Sequence, residues 1–303
     1  MGRRADRRVW SRPRLRGSRT LVREVTAHQP AQKSFVNVDI ERLLTLLDRR
    51  ESLNSLQELY EALDARNRVD AFVPTLAFTL GFDTNAAFRL GLNGSRGTDA
   101  VDYLRARHKG PLILPGQVLQ EIWNNSLEGL DPKAKRIAKA LEALKSEASG
   151  IGQQLGATGE AAEDAVRKLV ESHSDWIDPS ARATFERTLE VFVEKATVAH
   201  VPRSAFHQIA QSRHDTKTPP GFRDPAGNNG DFFVWADFLL GALRTLTMDV
   251  EAVVFVTNDT KKDWSRNGVP HPILVAEARA IVNRPFHLWT VERFQEFAAS
   301  QMT

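Results

Sequence analysis

Two short apolar runs rich in β-formers, TLAFTLGF at 75–82 and AVVFVT at 252–257, end at or one residue short of an aspartate and then open into helix-forming stretches. That strand-to-helix step, repeated without hairpin turn signals between strands, constrains the chain to a mostly parallel, three-layer α/β fold. A brief strand at 112–114 precedes a helix for which Pro115 suits the first turn, and 286–290 reads as a late edge strand before a final helix. In an open sheet of this kind ligands bind beyond the carboxyl ends of the strands, which is where Asp83 and Asp259 fall.

Asp83 in GFDTN, Glu121 in LPGQVLQEIW, Asp231 in NNGDFFVW and Asp259 in FVTNDTKKDW are distant in the chain, yet their settings would bring them together. Four carboxylates in one crevice repel one another and take up protons unless a hard cation such as Mg²⁺ or Mn²⁺ sits among them. The set therefore reads as a divalent-metal site for phosphodiester hydrolysis. Each acid also has a plainer use. Asp83 and Asp231 stand where an aspartate caps a helix, and Asp259 where it closes an Asx-turn. Glu121 flanks the apolar Val118, Leu119, Ile122 and Trp123, as a surface glutamate at the edge of a buried stripe would.

Asp224 is open between two roles, a further ligand reaching the metal through water and an organiser of its own loop. Lys217, Arg223, Lys261 and Lys262 border these motifs and suit either substrate phosphates or plain solvation. Asp263 reads as a surface partner of Lys261 or Lys262, Trp264 as a packing residue, and His207 and His214 as surface groups in a polar stretch. The chain has no HExxH, no GxxxxGK[ST], no GxSxG and no GxGxxG.

The wording around the acids resembles the PIN superfamily of metal-dependent nucleases. An apolar strand ends in Phe82-Asp83-Thr84-Asn85, and three further motifs follow: Pro219-Pro220-Gly221-Phe222-Arg223-Asp224, Gly230-Asp231-Phe232-Phe233-Val234-Trp235, and Phe255 through Trp264. They are similar to a bacterial PIN-like group that carries a long helical insertion, and the resemblance runs from about Phe72 to the C-terminus. It departs at Asn258, which stands where relatives are often acidic. The resemblance implies metal ligation by Asp83, Glu121, Asp231 and Asp259, with Asn85 beside the substrate. Glu121 holds its place here because its position after LPGQVLQ is where such an enzyme puts a second acid.

Residues 1–23 contain nine Arg and one Asp, with no Lys or Glu. They carry +8 against +3 for the whole chain, which leaves −5 for the rest. Such an arm either tracks phosphates, with Trp10 free to stack on a base, or is a solvated tail. The reading divides the chain into a basic, flexible arm at 1–35, a helical extension at 36–70, and a PIN-like domain at 71–303 with a helical insertion at about 131–198. Leucine spacing at Ile40, Leu43, Leu44 and Leu47, then Leu56, Leu59 and Leu63, predicts a helical hairpin within the extension. The absence of cysteine excludes disulfides, thiolate zinc sites and a thiol nucleophile, and suits a cytoplasmic location. The paired arginines precede no apolar stretch, and no run is apolar enough for a membrane.

The resulting expectation is a Mg²⁺- or Mn²⁺-dependent endonuclease using one or two ions, acting on RNA ahead of DNA. Two alternatives stand beside it: a non-catalytic nucleic-acid-binding or assembly module, and a phosphatase for small phosphoesters. An inhibitory or regulatory protein partner and a homo-oligomer are left open.

Overall fold

In a computed structural model of the 303-residue chain, the described residues are 32–49, 53–64, 72–127, 132–172, 180–225, 227–259, 261–266 and 268–303. Most of the expected basic arm, to residue 31, lies outside them, as do residues 50–52 at the expected hairpin connection and residues 65–71. In chain order the elements are α1 (Gln32–Arg49), α2 (Ser55–Asp64), β1 (Ala77–Phe82), α3 (Thr84–Arg89), α4 (Ser95–Ala106), β2 (Leu112–Pro115) and α5 (Gly116–Leu127). There follow α6 (Pro132–Leu155), α7 (Ala157–Ser172), α8 (Ser180–Lys195), β3 (Ala196–Ala199), α9 (Arg203–Asp215), α10 (Gly230–Thr245) and β4 (Val250–Val256). The short β5 (Ser265–Arg266) and β6 (Val269–Pro270), then α11 (Pro272–Val282), β7 (Phe286–Trp289) and α12 (Val291–Met302) complete the chain.

The sheet order is β3-β2-β1-β4-β7, and every adjacent pair is parallel. Only β5 and β6, a separate two-stranded ribbon, pair antiparallel among the described residues. β1 sits at the centre, with Leu80 opposite Leu112 on one side and Val254 on the other. Strands covered on both faces need apolar residues on both, which is why β1 and β4 read as continuous apolar runs and not as alternating ones.

The two-residue period of β1 shows the layers. Phe78 and Phe82 point to one face, where Phe82 meets Phe294 of α12 and Phe192 of α8, and Phe78 meets Phe297. Gly81 points to the other face, where a Cβ would come within 2.3 Å of the Phe238 ring of α10. On that same face Phe255 of β4 packs against Phe238 and Trp235. Helices α4, α8 and α12 thus cover one face, and α10, backed by α1, α9 and α11, covers the other. Each fully buried Phe or Leu of these sets stabilises the fold by roughly 1.5–3 kcal/mol.

Of the expected stripe of α1, Ile40, Leu43 and Leu47 join the core with Leu46 beside them, and Leu44 is half-buried against it. That of α2 is not. Leu56 is 78% exposed and Leu59, Tyr60 and Leu63 are also open, because α2 docks on α11 through its polar side, where Arg279 bonds Glu58 at 2.6 Å and Glu61 at 3.2 Å. The residues expected to form a helical insertion divide in a similar way. Helices α6 and α7 pack chiefly on each other, whereas Phe185, Val191 and Phe192 of α8 are core and β3 is a strand of the sheet. Pro115, expected in a first helical turn, is instead the last residue of β2.

Candidate functional site

The ends of β1 and β4 adjoin, with Phe82 opposite Val256, so the loops after them open at one place. Asp83 follows β1 directly. Its backbone N–H donates to Val256 O at 3.0 Å, and its carboxylate caps α3 by accepting from Ala86 N at 2.5 Å. The Thr257 hydroxyl donates to the other carboxylate oxygen of Asp83 and accepts from the Asp259 N–H at 2.9 Å. Burial pushes the Asp83 carboxyl up to about 7 against the two bonds that favour its charge, and the charges of Asp259 and Asp231 raise it further. The helix-cap reading of Asp83 and its placement among the other acids therefore both hold.

Asp231 lies in the first turn of α10. Its carboxylate accepts from the indole N–H of Trp264 at 3.0 Å and from Lys261 Nζ at 2.6 Å. Burial raises its carboxyl to about 6, with Asp224 adding to the rise and Lys261 and Trp264 opposing it. Trp264 is itself buried and stacks on Phe255 with centroids 5.4 Å apart, so its apolar body packs while its polar edge fixes an acid. Asp259 accepts from the Lys261 backbone N–H at 2.8 Å, the Asx-turn expected of it, and its second oxygen stands 3.0 Å from Lys261 Nζ.

Asp224 brings a third carboxylate to the same ammonium, at 2.7 Å. Its loop is held from two sides. His214 bonds the Asp224 carbonyl oxygen at 3.1 Å, and the buried Asp263 accepts from Gly221 N at 3.0 Å and Arg223 N at 3.3 Å. Asp263 is thus no surface partner of a lysine. It has no exposed side chain and ties the PPGFRD loop down. At Gly221, where φ is +92°, a side chain would be strained and its Cβ would stand 3.2 Å from that of Asp231.

Glu121 reaches the same cleft from α5. Thr84 donates to one of its oxygens and Gln117, one turn earlier, to the other at 3.0 Å. A cleft of about 500 Å³ is lined by Asn85, Arg89, Glu121, Asp224, Asn228, Gly230, Asp231, Asn258, Asp259 and Lys261. Asn258, the departure from the motif, also accepts from Val291 N at 2.8 Å and so joins the loop to the start of α12.

The structure separates the expected cations. Lys217, Arg223 and Lys262 are exposed and do not line the cleft, and Arg223 lies over the Phe222 ring at 5.7 Å. Lys261 is at the centre of the acids and not on the substrate rim, and the three carboxylates outweigh burial in holding its ammonium protonated. Arg89 was not singled out from the sequence. It follows Asn85 by four residues on α3, a spacing that puts both on one helix face.

No group of three or more His, Cys, Asp and Glu side chains among the described residues is set to hold a metal ion as it stands. The distances give a reason, because the oxygens of Asp224, Asp231 and Asp259 stand 2.6–3.0 Å from an ammonium, whereas Mg²⁺ takes oxygens at about 2.0–2.1 Å. The donors are the hard oxygens that Mg²⁺ or Mn²⁺ prefers, and their spacing is that of a lysine.

A second buried cluster keeps this end of the fold in register. Asp237 of α10, wholly buried, accepts from Gln117 N at 2.8 Å, Val201 N at 2.7 Å and both Arg203 nitrogens at 2.9 and 2.7 Å. It thereby sets the start of α5, and so Glu121, relative to α10 and Asp231.

Compared with known proteins, residues 149–271 match the family model described as a PIN like domain, about two-fifths of the chain. The matched span holds Asp224, Asp231, Asp259 and Lys261, while Asp83 and Glu121 precede it. It supports a PIN-like domain and, in general terms, a nuclease-type function. No curated protein and no solved structure matches the chain. Among the described residues no helix is long and apolar enough to cross a membrane.

Proposed function

We propose that this chain is a metal-dependent endonuclease that hydrolyses phosphodiester bonds, with RNA the first substrate class and DNA the second. The observation that carries the reading is the convergence of Asp224, Asp231 and Asp259 on one positive charge, in a polar cleft that Glu121 also lines, with the buried Asp83 near enough for the charges of Asp259 and Asp231 to act on it. Asp83, Glu121, Asp231 and Asp259 would hold one or two Mg²⁺ or Mn²⁺ ions, with Asp224 as an added ligand. Each Asp83 oxygen already accepts one hydrogen bond and keeps a lone pair for a cation. A bound ion supplies Lewis acidity to the scissile phosphate and acidifies the attacking water. Asn85 and Arg89, on the α3 side of the cleft, would orient the phosphate, Arg89 through its planar fork.

The test is cleavage of end-labelled RNA and DNA beside a small phosphoester, with and without Mn²⁺, by the wild type and by Asp231→Asn. The reading predicts internal cuts in polymer that need Mn²⁺ and fall by about 10²-fold or more in the variant. Turnover of the small phosphoester alone would make it a phosphatase. Polymer binding without cleavage would make it a binding module.

A further inference from the structure

We propose that Lys261 is the resident counter-ion of the acidic cleft, holding Asp224, Asp231 and Asp259 together until a divalent cation displaces it. The inference rests on the metal-dependent reading above and adds a residue that controls access to the site.

Three carboxylates from separate segments, the PPGFRD loop, the start of α10 and the turn after β4, meet at one Nζ at 2.7, 2.6 and 3.0 Å. The backbone of Lys261 is fixed as well, since its N–H bonds Asp259. The side chain is therefore aimed inward by the turn that presents one of its partners. Without it, three carboxylates would face one another within a few ångströms, with Asp83 and Glu121 close by, an arrangement that separates or takes up protons. The ammonium lets the acids stay converged at a spacing slightly too wide for a metal.

A divalent ion and an ammonium cannot share that centre. Two like charges a few ångströms apart repel, and a Mg²⁺ ion needs its oxygens nearer by about half an ångström or more. Ion entry is thus an exchange. Lys261 is a third exposed on a flexible four-carbon stem, so the ammonium has a path to solvent as the ion takes its oxygens. The apparent ion affinity of the wild type is the intrinsic affinity reduced by the fraction of molecules in which the lysine has left.

The experiment is calorimetric titration of the full chain with MnCl₂, comparing the wild type, Lys261→Met and the neighbouring control Lys262→Met. Lys261→Met should bind Mn²⁺ about tenfold tighter or more, while melting lower than the wild type in the absence of metal. Lys262→Met should match the wild type in both. As a second measurement that does not depend on a variant folding, the ¹³Cε–¹Hε signal of Lys261 in the wild type should move to the position of exposed lysines as MgCl₂ is added. A Lys261 signal unmoved at saturating Mg²⁺, or a folded Lys261→Met with wild-type affinity or less, overturns the inference and leaves the nuclease reading standing. If neither the wild type nor Lys261→Met binds Mn²⁺, both fall.

Discussion

Asp83 shows how one residue carries conflicting demands. Its carboxyl is raised to about 7, burial first, above the usual aspartate value of 3.8. Between about pH 4 and pH 7 the folded, metal-free protein therefore binds more protons here than the unfolded chain does. Stability falls as pH rises through that window and stays low above it. Asp231, raised to about 6, acts in the same direction. Asp83→Asn keeps the shape and removes the charge, so in a metal chelator it should melt higher than the wild type at pH 8, by a few kcal/mol at most, with a flatter profile from pH 4 to 7. Melting curves across that range would check this, and an unchanged slope with a lower melting point at pH 8 would contradict it. Asp83, Asp231 and Asp259 were legible because they follow an apolar strand within a few residues or open an apolar helix, whereas Glu121, inside α5, was placed only by the resemblance of its motif. Lys261 was not legible. In TNDTKKDW two adjacent lysines are alike, and only the turn after β4 sends one among the acids and leaves the other exposed.

At the scale of elements, the site depends on how α10 seats against the sheet and against α5. Gly81 lets the Phe238 ring lie close on β1, and Asp237 links α10 to the backbone at Gln117 and Val201 and to Arg203. Asp237→Ala removes an acceptor used by two main-chain N–H groups and leaves a guanidinium without its partner. We expect a loss of about 3–5 kcal/mol in urea unfolding. A change within about 1 kcal/mol would show that α10 is held by its apolar face alone. Sequence patterning located α10 through its run of aromatics but gave no sign of this acid, because an aspartate inside an apolar helix is recognisable only once its donors from α5, the loop after β3 and α9 are in place. The α2 stripe misled for a related reason. Leucines three and four residues apart show which side of a helix is apolar, and here the Arg279 pairs with Glu58 and Glu61 turn the other side inward.

For the whole molecule, a mostly parallel sheet was legible from the alternation of strand and helix, whereas the extent of the helical excursion was not. Helix α8 has the same amphipathic composition as α6 and α7 yet packs on α4 and the sheet, and β3, ATVA, with one of its four residues buried, lacks the apolar run that marks the equally short β2. Replacing 132–172 by a short flexible linker should accordingly leave a folded, soluble core. Extending the cut to 198 should unfold it, since that removes most of β3 and buried Phe185, Val191 and Phe192. Circular dichroism and melting of the two truncations would decide, and equal behaviour would mean that α8 and β3 are no more part of the core than α6 and α7. Anomalous scattering from a crystal grown with Mn²⁺ would show whether the acids at the carboxyl end of the sheet form a divalent-cation site guarded by a lysine. We expect a manganese peak bonded to Asp231 and Asp259, with the Lys261 ammonium moved out of the cleft. Lys261 still bridging Asp224, Asp231 and Asp259 with no manganese peak between them would contradict it.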